Sequence, residues 1–258
     1  MIFKELYAYR EMIFSLVRRD LVGRYKKSIL GFLWTFVDPL LQLLVYTFVF
    51  TVIMPMKGID KFYLHLFVAL IPWSFFASCL SGGCTSIINQ QDMVKKIYFP
   101  REVLPIAYVT SQFVNMVYSF IVVFVVLIIS GTGISLKALI CLPLVMIVQY
   151  ITCLGITLLT SAITVYLRDM QQILSVVSLA LMYASPVIYS IDMVPEKLLE
   201  VYMLNPMSVV IVAYRDILYY KVIPDMGQLG LALGISLVFV LIGYVTFSRL
   251  KRRFVEEL

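Results

Sequence analysis

The amino-acid sequence predicts an all-α fold, a polytopic membrane protein with six transmembrane helices. Hydrophobic residues make up 62% of the 258-residue chain and charged residues only 14%, against roughly 45–50% and about 25% in soluble proteins. A chain of this size cannot bury that much apolar surface in one core, so part of it must face lipid. The composition therefore excludes a soluble enzyme, a disordered chain and a disulfide-rich secreted domain.

The N-terminal segment, residues 1–28, is predicted to be an amphipathic helix in the cytoplasmic membrane interface. Its apolar residues recur at the spacing of one helical face, at Phe3, Leu6, Tyr9, Ile13, Leu16, Val17 and Leu21. Charged residues occupy much of the other side, which places the basic side toward lipid headgroups. Two interpretations stay open: a plain membrane anchor, and a helix that also touches a cytoplasmic partner.

Residues 29–258 are predicted to form one transmembrane domain. Its six apolar runs lie near 30–54, 62–82, 104–130, 138–165, 172–190 and 227–248. Each is long enough, at about 1.5 Å per residue, to cross a hydrocarbon core of about 30 Å. The fifth run is the shortest and carries three serines, so we expect it to pack inside the protein.

The distribution of basic residues predicts that both chain ends are cytoplasmic. With the N-terminus inside, only six of the 21 Lys and Arg residues fall on the outer side, namely Lys57, Lys61, Lys137, Lys197, Arg215 and Lys221. Cytoplasmic loops carry the excess of positive charge in membrane proteins. The net charge of +6 is accordingly attributed to membrane lipids and topology, and no nucleic acid is expected as a partner.

Two connections between the spans are more than simple turns. The inner segment from Cys84 to Arg101 begins with helical character, and Pro100 should end that helix or turn the chain. The outer segment from Ile191 to Met226 is too polar for a span and too apolar for a solvated loop. The break at Asn205-Pro206 suggests two short re-entrant helices that dip into the outer leaflet.

The sequence offers no catalytic residue and no metal ligand set. It contains no phosphate-binding loop of the Gly-x-x-x-x-Gly-Lys-Ser/Thr type, no Gly-x-Ser-x-Gly and no His-Glu-x-x-His. The four cysteines form no Cys-x-x-Cys pair and there is one histidine, so free thiols are expected and a histidine-based metal cluster is excluded. We therefore expect no enzyme activity and no cofactor in this chain.

Two polar stripes mark a candidate translocation pathway. In the first span, side chains at spacings of three and four share one helical face, namely Thr35, Asp38, Gln42 and Tyr46. The fifth span repeats the pattern with Ser175, Ser178, Met182, Ser185 and Tyr189, and Tyr183 adds an aromatic ring. Polar groups within a span usually face protein or water rather than lipid. Helix packing and a water-filled conduit both remain open for these stripes.

Several segments resemble polysaccharide-export permeases, the ABC-2-type transmembrane subunits. The resemblance covers nearly the whole chain in order and is carried by Arg18–Leu21, Arg24–Trp34, Pro39-Leu40, Lys95–Pro105, Tyr166–Met170, Asn205–Ser208 and Tyr214–Leu218. The O-antigen exporters are the nearest branch, and capsule and wall teichoic acid permeases share much of the pattern. Asp38 is a departure, because the family more often has a neutral residue before the proline at this place.

The resemblance implies an ATP-driven exporter of lipid-linked, O-antigen-like polysaccharide in the inner membrane. Two copies of the chain would pair, and two separate ATPase subunits would bind beneath them with ATP and Mg²⁺. We expect the inner connections to dock on the ATPase through Asn89, Gln90, Asp92, Met93, Lys95, Lys96, Tyr98, Arg101, Arg168 and Asp169. The outer re-entrant region would include Asn205, Pro206, Arg215 and Asp216.

Other functions remain as alternatives. A related exporter could move teichoic acid, capsule, a drug or a lipid. A proton-coupled secondary carrier would need a titratable relay and often two repeated halves, and neither is evident. A membrane-embedded glycosyltransferase or ligase would need acidic groups at the outer face, and the acids present there fit ordinary interfacial charges better.

Overall fold

The structure, a computed structural model, describes residues 6–23, 28–53 and 59–258, which form helices and turns without a strand. Parts of the predicted N-terminal segment and first connection, at 1–5, 24–27 and 54–58, lie outside the described residues, including Phe3, Met54 and Lys57. The α-helices are α1 Arg10–Gly23, α2 Trp34–Phe48, α3 Phe62–Ser81, α4 Gln91–Lys96, α5 Val103–Ile129, α6 Leu136–Leu139, α7 Leu142–Tyr166, α8 Met170–Tyr183, α9 Glu196–Met203, α10 Pro206–Arg215, α11 Met226–Leu250 and α12 Phe254–Glu257.

Five helical stretches are long and apolar enough to cross a membrane. They are Gly31–Ile53, Phe62–Ser81, Val103–Ile129, Leu136–Tyr166 and Met226–Glu257. Their bounds lie within a few residues of the predicted first, second, third and fourth spans, and the last stretch begins at Met226, next to the predicted start of the sixth span at residue 227. The one larger difference is at the end of the sixth span, where helical structure continues past residue 248 to Glu257.

The fifth predicted span is shorter than expected. Helix α8 has 14 residues and reaches about 21 Å, which is less than a hydrocarbon core of about 30 Å. Pro186 stops the helix, because proline has no N–H to bond and disfavours a helical conformation in the residue before it. The predicted end at residue 190 is therefore wrong, and the helix ends at Tyr183.

Helix α3 lies at the centre of the bundle and contacts α5, α7, α8 and α10. Apolar residues cover all its sides, as expected of a helix buried on every face, and most of its side chains are buried. Gln149 of α7 donates from Nε2 to the Pro72 carbonyl at 2.7 Å. Tyr214 of α10 donates in turn to Gln149 Oε1 at 2.9 Å. These bonds join three helices and satisfy polar groups that would be costly to leave unpaired in the core.

Helices α7 and α11 make the most extensive helix contact in the structure. Glycines allow it: a Cβ added at Gly243 would lie 2.4 Å from the Gly155 carbonyl oxygen, and one added at Gly155 would lie 2.6 Å from the Val240 nitrogen. Small residues let membrane helices approach this closely. Thr152 and Ser236 join their hydroxyls across the same interface at 2.6 Å.

Helices α1 and α2 lie at the edge of the bundle. Helix α2 contacts α5 and α3, but almost all of its apolar side chains are exposed or only partly buried. Pro39 lies within it, and a π-helical turn, Val49–Ile53, continues its C-terminal end. Helix α1 packs along α5, where the Ser111 hydroxyl donates to Asp20 Oδ2 at 2.5 Å. The periphery of the bundle is therefore formed by the elements with the least burial.

Candidate functional site: a polar cavity and two end surfaces

A cavity of about 360 Å³ lies between α2, α3 and α5. We call it the polar cavity, because most of the side chains around it are hydroxyls, amides or a carboxylate. Its polar lining consists of Thr35, Asp38, Gln42, Ser74, Ser78, Gln112, Asn115 and Ser119. Trp34 and Phe75 add aromatic faces to the wall. This combination can receive water or a hydroxyl-rich ligand, since amides and carboxylates bond hydroxyls and aromatic planes stack against sugar C–H faces.

The residues of the first polar stripe differ in how well their polar groups are satisfied. Thr35 is only 2% exposed, and its hydroxyl has no hydrogen-bond partner in the part of the chain that the structure describes. Asp38 and Gln42 are exposed and line the cavity. Tyr46 lies away from the cavity lining, packs against the core and stacks on Phe50 with ring centroids 6.5 Å apart. A buried hydroxyl without a partner normally indicates a water or ligand that completes it.

The second polar stripe is not one continuous helical face. Ser175, Ser178 and Met182 lie on α8, where Ser175 is exposed and Ser178 and Met182 are half-buried. Ser185 and Tyr189 follow the end of the helix, so spacings of three and four do not align them with the other three. Ser185 is buried and accepts a hydrogen bond from Asn205 Nδ2 at 2.9 Å, and Tyr189 donates to the Tyr183 carbonyl at 2.7 Å.

One end of the bundle carries a concentration of basic side chains, and we call it the basic end. It comprises α4, the segment Ile97–Arg101, the turn after α7 and the C-terminal residues from Lys251 onward. Most of the predicted docking residues are exposed there: Asn89, Asp92, Lys95, Lys96, Tyr98, Arg168 and Asp169. Gln90, Met93 and Arg101 are half-buried. Helix α4 ends at Lys96, before Pro100, and Ile97 is extended.

The C-terminal residues form part of this basic end. Arg101 donates to the Lys251 carbonyl, and Lys251 forms an ion pair with the buried Glu102 at 2.5 Å. Phe254 is fully buried and lies edge-on to Phe247 with ring centroids 5.5 Å apart. A cleft of about 430 Å³ results, lined by Tyr9, Tyr98, Arg101, Lys251 and Arg252 among others. The arrangement places cations and aromatic rings together at this surface.

At the opposite end, two helices meet at a sharp bend. Glu196–Met203 and Pro206–Tyr220 are bent by 102° relative to each other. Asn205 makes the corner, because its Oδ1 accepts from the Met207 N–H at 3.0 Å and Pro206 fits the first turn of α10. We call this pair of helices the bent hairpin. The helix break predicted at Asn205-Pro206 is confirmed.

Arg215 connects the bent hairpin to the rest of the bundle. It is 2% exposed and donates only to backbone carbonyls, those of His65, Pro186, Val187 and Tyr189, at 2.5–3.1 Å. Within the described ranges no carboxylate pairs with it. Asp216, the next residue, is only half-buried. The guanidinium group thus holds the turn after α8 against α3 and α10.

The chain matches a family of known membrane transporters. A family model described as ABC-2 type transporter covers residues 11–219. The chain belongs to the ABC-2 type transporter family. This ABC-2 chain is 34% identical over 257 residues to the O-antigen export system permease protein RfbA of Myxococcus xanthus, covering 99% of the chain and 98% of that protein. Two Klebsiella pneumoniae proteins of the same name are each 29% identical over 248 residues, 96% of this chain and 95% of theirs.

Family membership confirms the resemblance found in the sequence. The polar cavity, the basic end and the bent hairpin all lie at least partly within the matched residues of the ABC-2 chain. Its relatives are permease proteins by name. Among the described residues, no group of three or more His, Cys, Asp or Glu side chains could hold a metal ion.

Sequence reasoning missed two parts of these sites in the ABC-2 chain. One is the contribution of α3 and α5 to the lining of the polar cavity. Ser74 and Ser78 are four residues apart on α3, and α5 carries Gln112, Asn115 and Ser119 at intervals of three and four. The same helical spacing that revealed Thr35 and Asp38 would have found them. The other is the C-terminal turn at the basic end. The run of three basic residues at 251–253 could have indicated it.

Proposed function

We propose that this chain is the transmembrane subunit of an ATP-driven exporter that moves a lipid-linked, O-antigen-like polysaccharide from the cytoplasmic to the outer side of the inner membrane. The observation that carries the proposal is the similarity of this chain to three O-antigen export system permease proteins, over almost their whole length. Fold similarity alone would leave the cargo open. The polar cavity adds support, because its amide, hydroxyl and aromatic lining suits sugar units.

A conduit forms between two copies of the chain. Helices α2 and α8 expose apolar side chains that a second copy can cover, including Leu41, Leu44, Val176 and Leu179. The polar residues of these helices, Thr35, Asp38, Gln42, Ser175 and Ser178, then lie near the pathway, with Tyr46, Met182, Tyr183, Ser185 and Tyr189 toward its outer part. Weak, repeated contacts of this kind let a polymer keep moving.

ATP is bound and hydrolysed, with Mg²⁺, by two separate ATPase subunits that dock at the basic end. Exposed Lys95, Lys96 and Tyr98 of the inner connection, with Arg168 and Asp169, make the contact. Coupling needs a contiguous physical connection, and this surface joins α3, α5, α7 and α11 through the turns between them. The chain itself supplies no cofactor site.

The orientation follows from the positive-inside rule. The basic end faces the cytoplasm together with both termini, and α1, the helix of the predicted segment 1–28, lies in the membrane interface ahead of the transmembrane domain of residues 29–258. The bent hairpin, with Asn205, Pro206, Arg215 and Asp216, re-enters the outer leaflet. The apolar residues of α1 that pack with the basic end, Met12, Ile13 and Leu16 among them, support its place at the inner surface.

Inactivation of the gene in its host tests the proposal. Surface polysaccharide should disappear while lipid-linked polymer accumulates on the cytoplasmic side, and the wild-type gene should restore export. The purified chain alone should show no ATP hydrolysis above background. Unchanged surface polysaccharide, together with loss of teichoic acid, drug or lipid export, would assign the chain to another branch of the family.

A further inference from the structure

A second cleft, of about 560 Å³, opens between α1, the turn Gly31–Leu33 just before α2, and α5. It is separate from the polar cavity and is mostly apolar. Its wall is formed by Phe14, Val17, Leu21, Phe32, Val114 and Tyr118, among others. Phe32 and Tyr118 pack edge to face with ring centroids 5.3 Å apart. We call this space the α1 cleft.

The apolar wall of the α1 cleft is left open. Phe14 is 70% exposed and Phe32 is 47% exposed. Exposed aromatic side chains that line one cleft are stabilised when water and polar headgroups are replaced by an apolar covering, and an acyl chain laid along them would supply it. Helix α1 follows the surface of α5, so the cleft runs beside a helix that the sequence predicts to lie in the membrane interface.

The charge around the α1 cleft has one sign. Arg18 is the one charged residue among its described lining residues, and it is exposed. The nearest acid in sequence, Asp20, faces another space on α1, which it lines together with Arg19, and it accepts a hydrogen bond from Ser111. A ligand that joins an apolar chain to an anionic head complements the apolar wall together with the Arg18 side chain.

We propose that the α1 cleft binds an acidic phospholipid of the leaflet in which α1 lies. One acyl chain covers Phe14, Phe32 and Tyr118, and the phosphate lies beside Arg18. The site does not depend on the transported cargo. It fixes α1 against α5 through a lipid as well as through direct side-chain contacts.

Lipid binding to the purified full-length chain in detergent tests the site. Native mass spectrometry with phosphatidylglycerol and phosphatidylcholine should show preferential retention of phosphatidylglycerol. Because a basic residue near an anionic lipid surface contributes on the order of a fivefold change in binding, Arg18→Gln should weaken retention of phosphatidylglycerol about fivefold and leave phosphatidylcholine unchanged. Arg10→Gln is the matched control, since Arg10 lies on the same helix, over the Tyr7 ring and outside the cleft lining.

A second variant tests the apolar part of the site. Val114→Trp fills the cleft from α5 and should reduce retention of both lipids, while elution as a single folded species confirms that the bundle is intact. In case that variant fails to fold, Phe14→Trp in the exposed wall should be quenched by phosphatidylglycerol with brominated acyl chains and not by the unbrominated lipid. Equal retention of both lipids by the wild type, an equal effect of Arg10→Gln, or absence of quenching would overturn the proposal.

Discussion

Arg215 shows how a single side chain can organise one end of a membrane bundle. A buried cation usually pairs with a carboxylate, yet this one donates to four backbone carbonyls contributed by α3 and the turn after α8. Pro186 frees that turn from helical hydrogen bonding, and the guanidinium group supplies the donors that the turn lacks. The shape of the turn therefore depends on a residue about thirty positions later in the chain.

Replacement of Arg215 by methionine should destabilise the protein strongly. Methionine fills similar space but leaves several buried carbonyls without a donor, at a cost of about 1–3 kcal/mol each. The stability of Arg215→Lys should lie between those of the wild type and Arg215→Met, because a compact ammonium cannot reach all four acceptors. Thermal unfolding of the detergent-purified chain gives the measurement.

Arg249→Met is the control for this comparison, since Arg249 is an exposed cation on α11. Its unfolding temperature should stay close to that of the wild type. Equal melting of Arg215→Met and the wild type would mean that the four carbonyl bonds contribute little to the stability of the fold.

Cysteine substitutions can show whether the polar cavity is hydrated. Gln42→Cys should react with a water-soluble thiol reagent, because Gln42 lines the cavity, whereas Leu44→Cys should not, because Leu44 lies outside the lining and an apolar surrounding suppresses the thiolate. The native Cys79, Cys84 and Cys153 are buried free thiols, so only the half-buried Cys141 needs prior replacement.

Labelling is measured in membranes, by mass spectrometry after the reagent is removed. A higher rate at Gln42→Cys during ATP turnover by the assembled transporter would connect the cavity with the conduit. Equal labelling at both positions, or at neither, would make the first polar stripe a packing surface.

At the scale of elements, close helix packing depends on particular glycines. Gly243 of α11 meets the backbone of α7, and an added methyl group has no space there. Gly234 lies on the same helix with nothing within 4 Å of an added Cβ. The two positions therefore separate the effect of interhelical contact from the general preference of helices for alanine over glycine.

Gly243→Ala should destabilise the protein by about 1–3 kcal/mol, the usual cost of overpacking. Gly234→Ala should be neutral or slightly stabilising, because alanine is the better helix former. Both can be measured as shifts in thermal unfolding of the purified chain. If the two variants melt alike, the contact between α7 and α11 is more compliant than its geometry indicates.

At the scale of the whole molecule, the basic end should contact the ATPase subunit. Tyr98 is 97% exposed at this end, which makes it a better probe than the half-buried Met93. Tyr98→Cys with a short bifunctional crosslinker should trap the ATPase in the assembled complex. Asp225→Cys at the start of α11, exposed at the opposite end, is the matched control.

The crosslinked product is identified by its mass on a denaturing gel and by antibody against each subunit. No product from Tyr98→Cys in an assembled complex, or as much product from Asp225→Cys, would contradict the docking surface and with it the assigned orientation.

Hydropathy predicted most spans, because runs such as Phe62–Ser81 and Val103–Ile129 need only lipid or core around them to be stable helices. The fifth span was misjudged because its end is decided by Pro186 together with Arg215, and the carbonyls that Arg215 binds carry no signature in sequence. For a similar reason, the sequence predicted the α2 residues of the polar cavity but not those of α3 and α5. Each helix displays its own polar spacing, but only the packing of α2 on α3 and α5 shows that Asp38 and Gln112 share one space.

The central position of α3 has a consequence for how the protein is made. Its Pro72 carbonyl accepts a hydrogen bond from Gln149, which is synthesised 77 residues later. Gln149 in turn accepts a hydrogen bond from Tyr214, a further 65 residues along the chain. The ribosome therefore delivers the innermost helix to the membrane well before its neighbours exist. Until then, lipid or an insertion chaperone must shield this helix, so that defects in biogenesis would appear first as proteolysis of chains interrupted between α3 and α10.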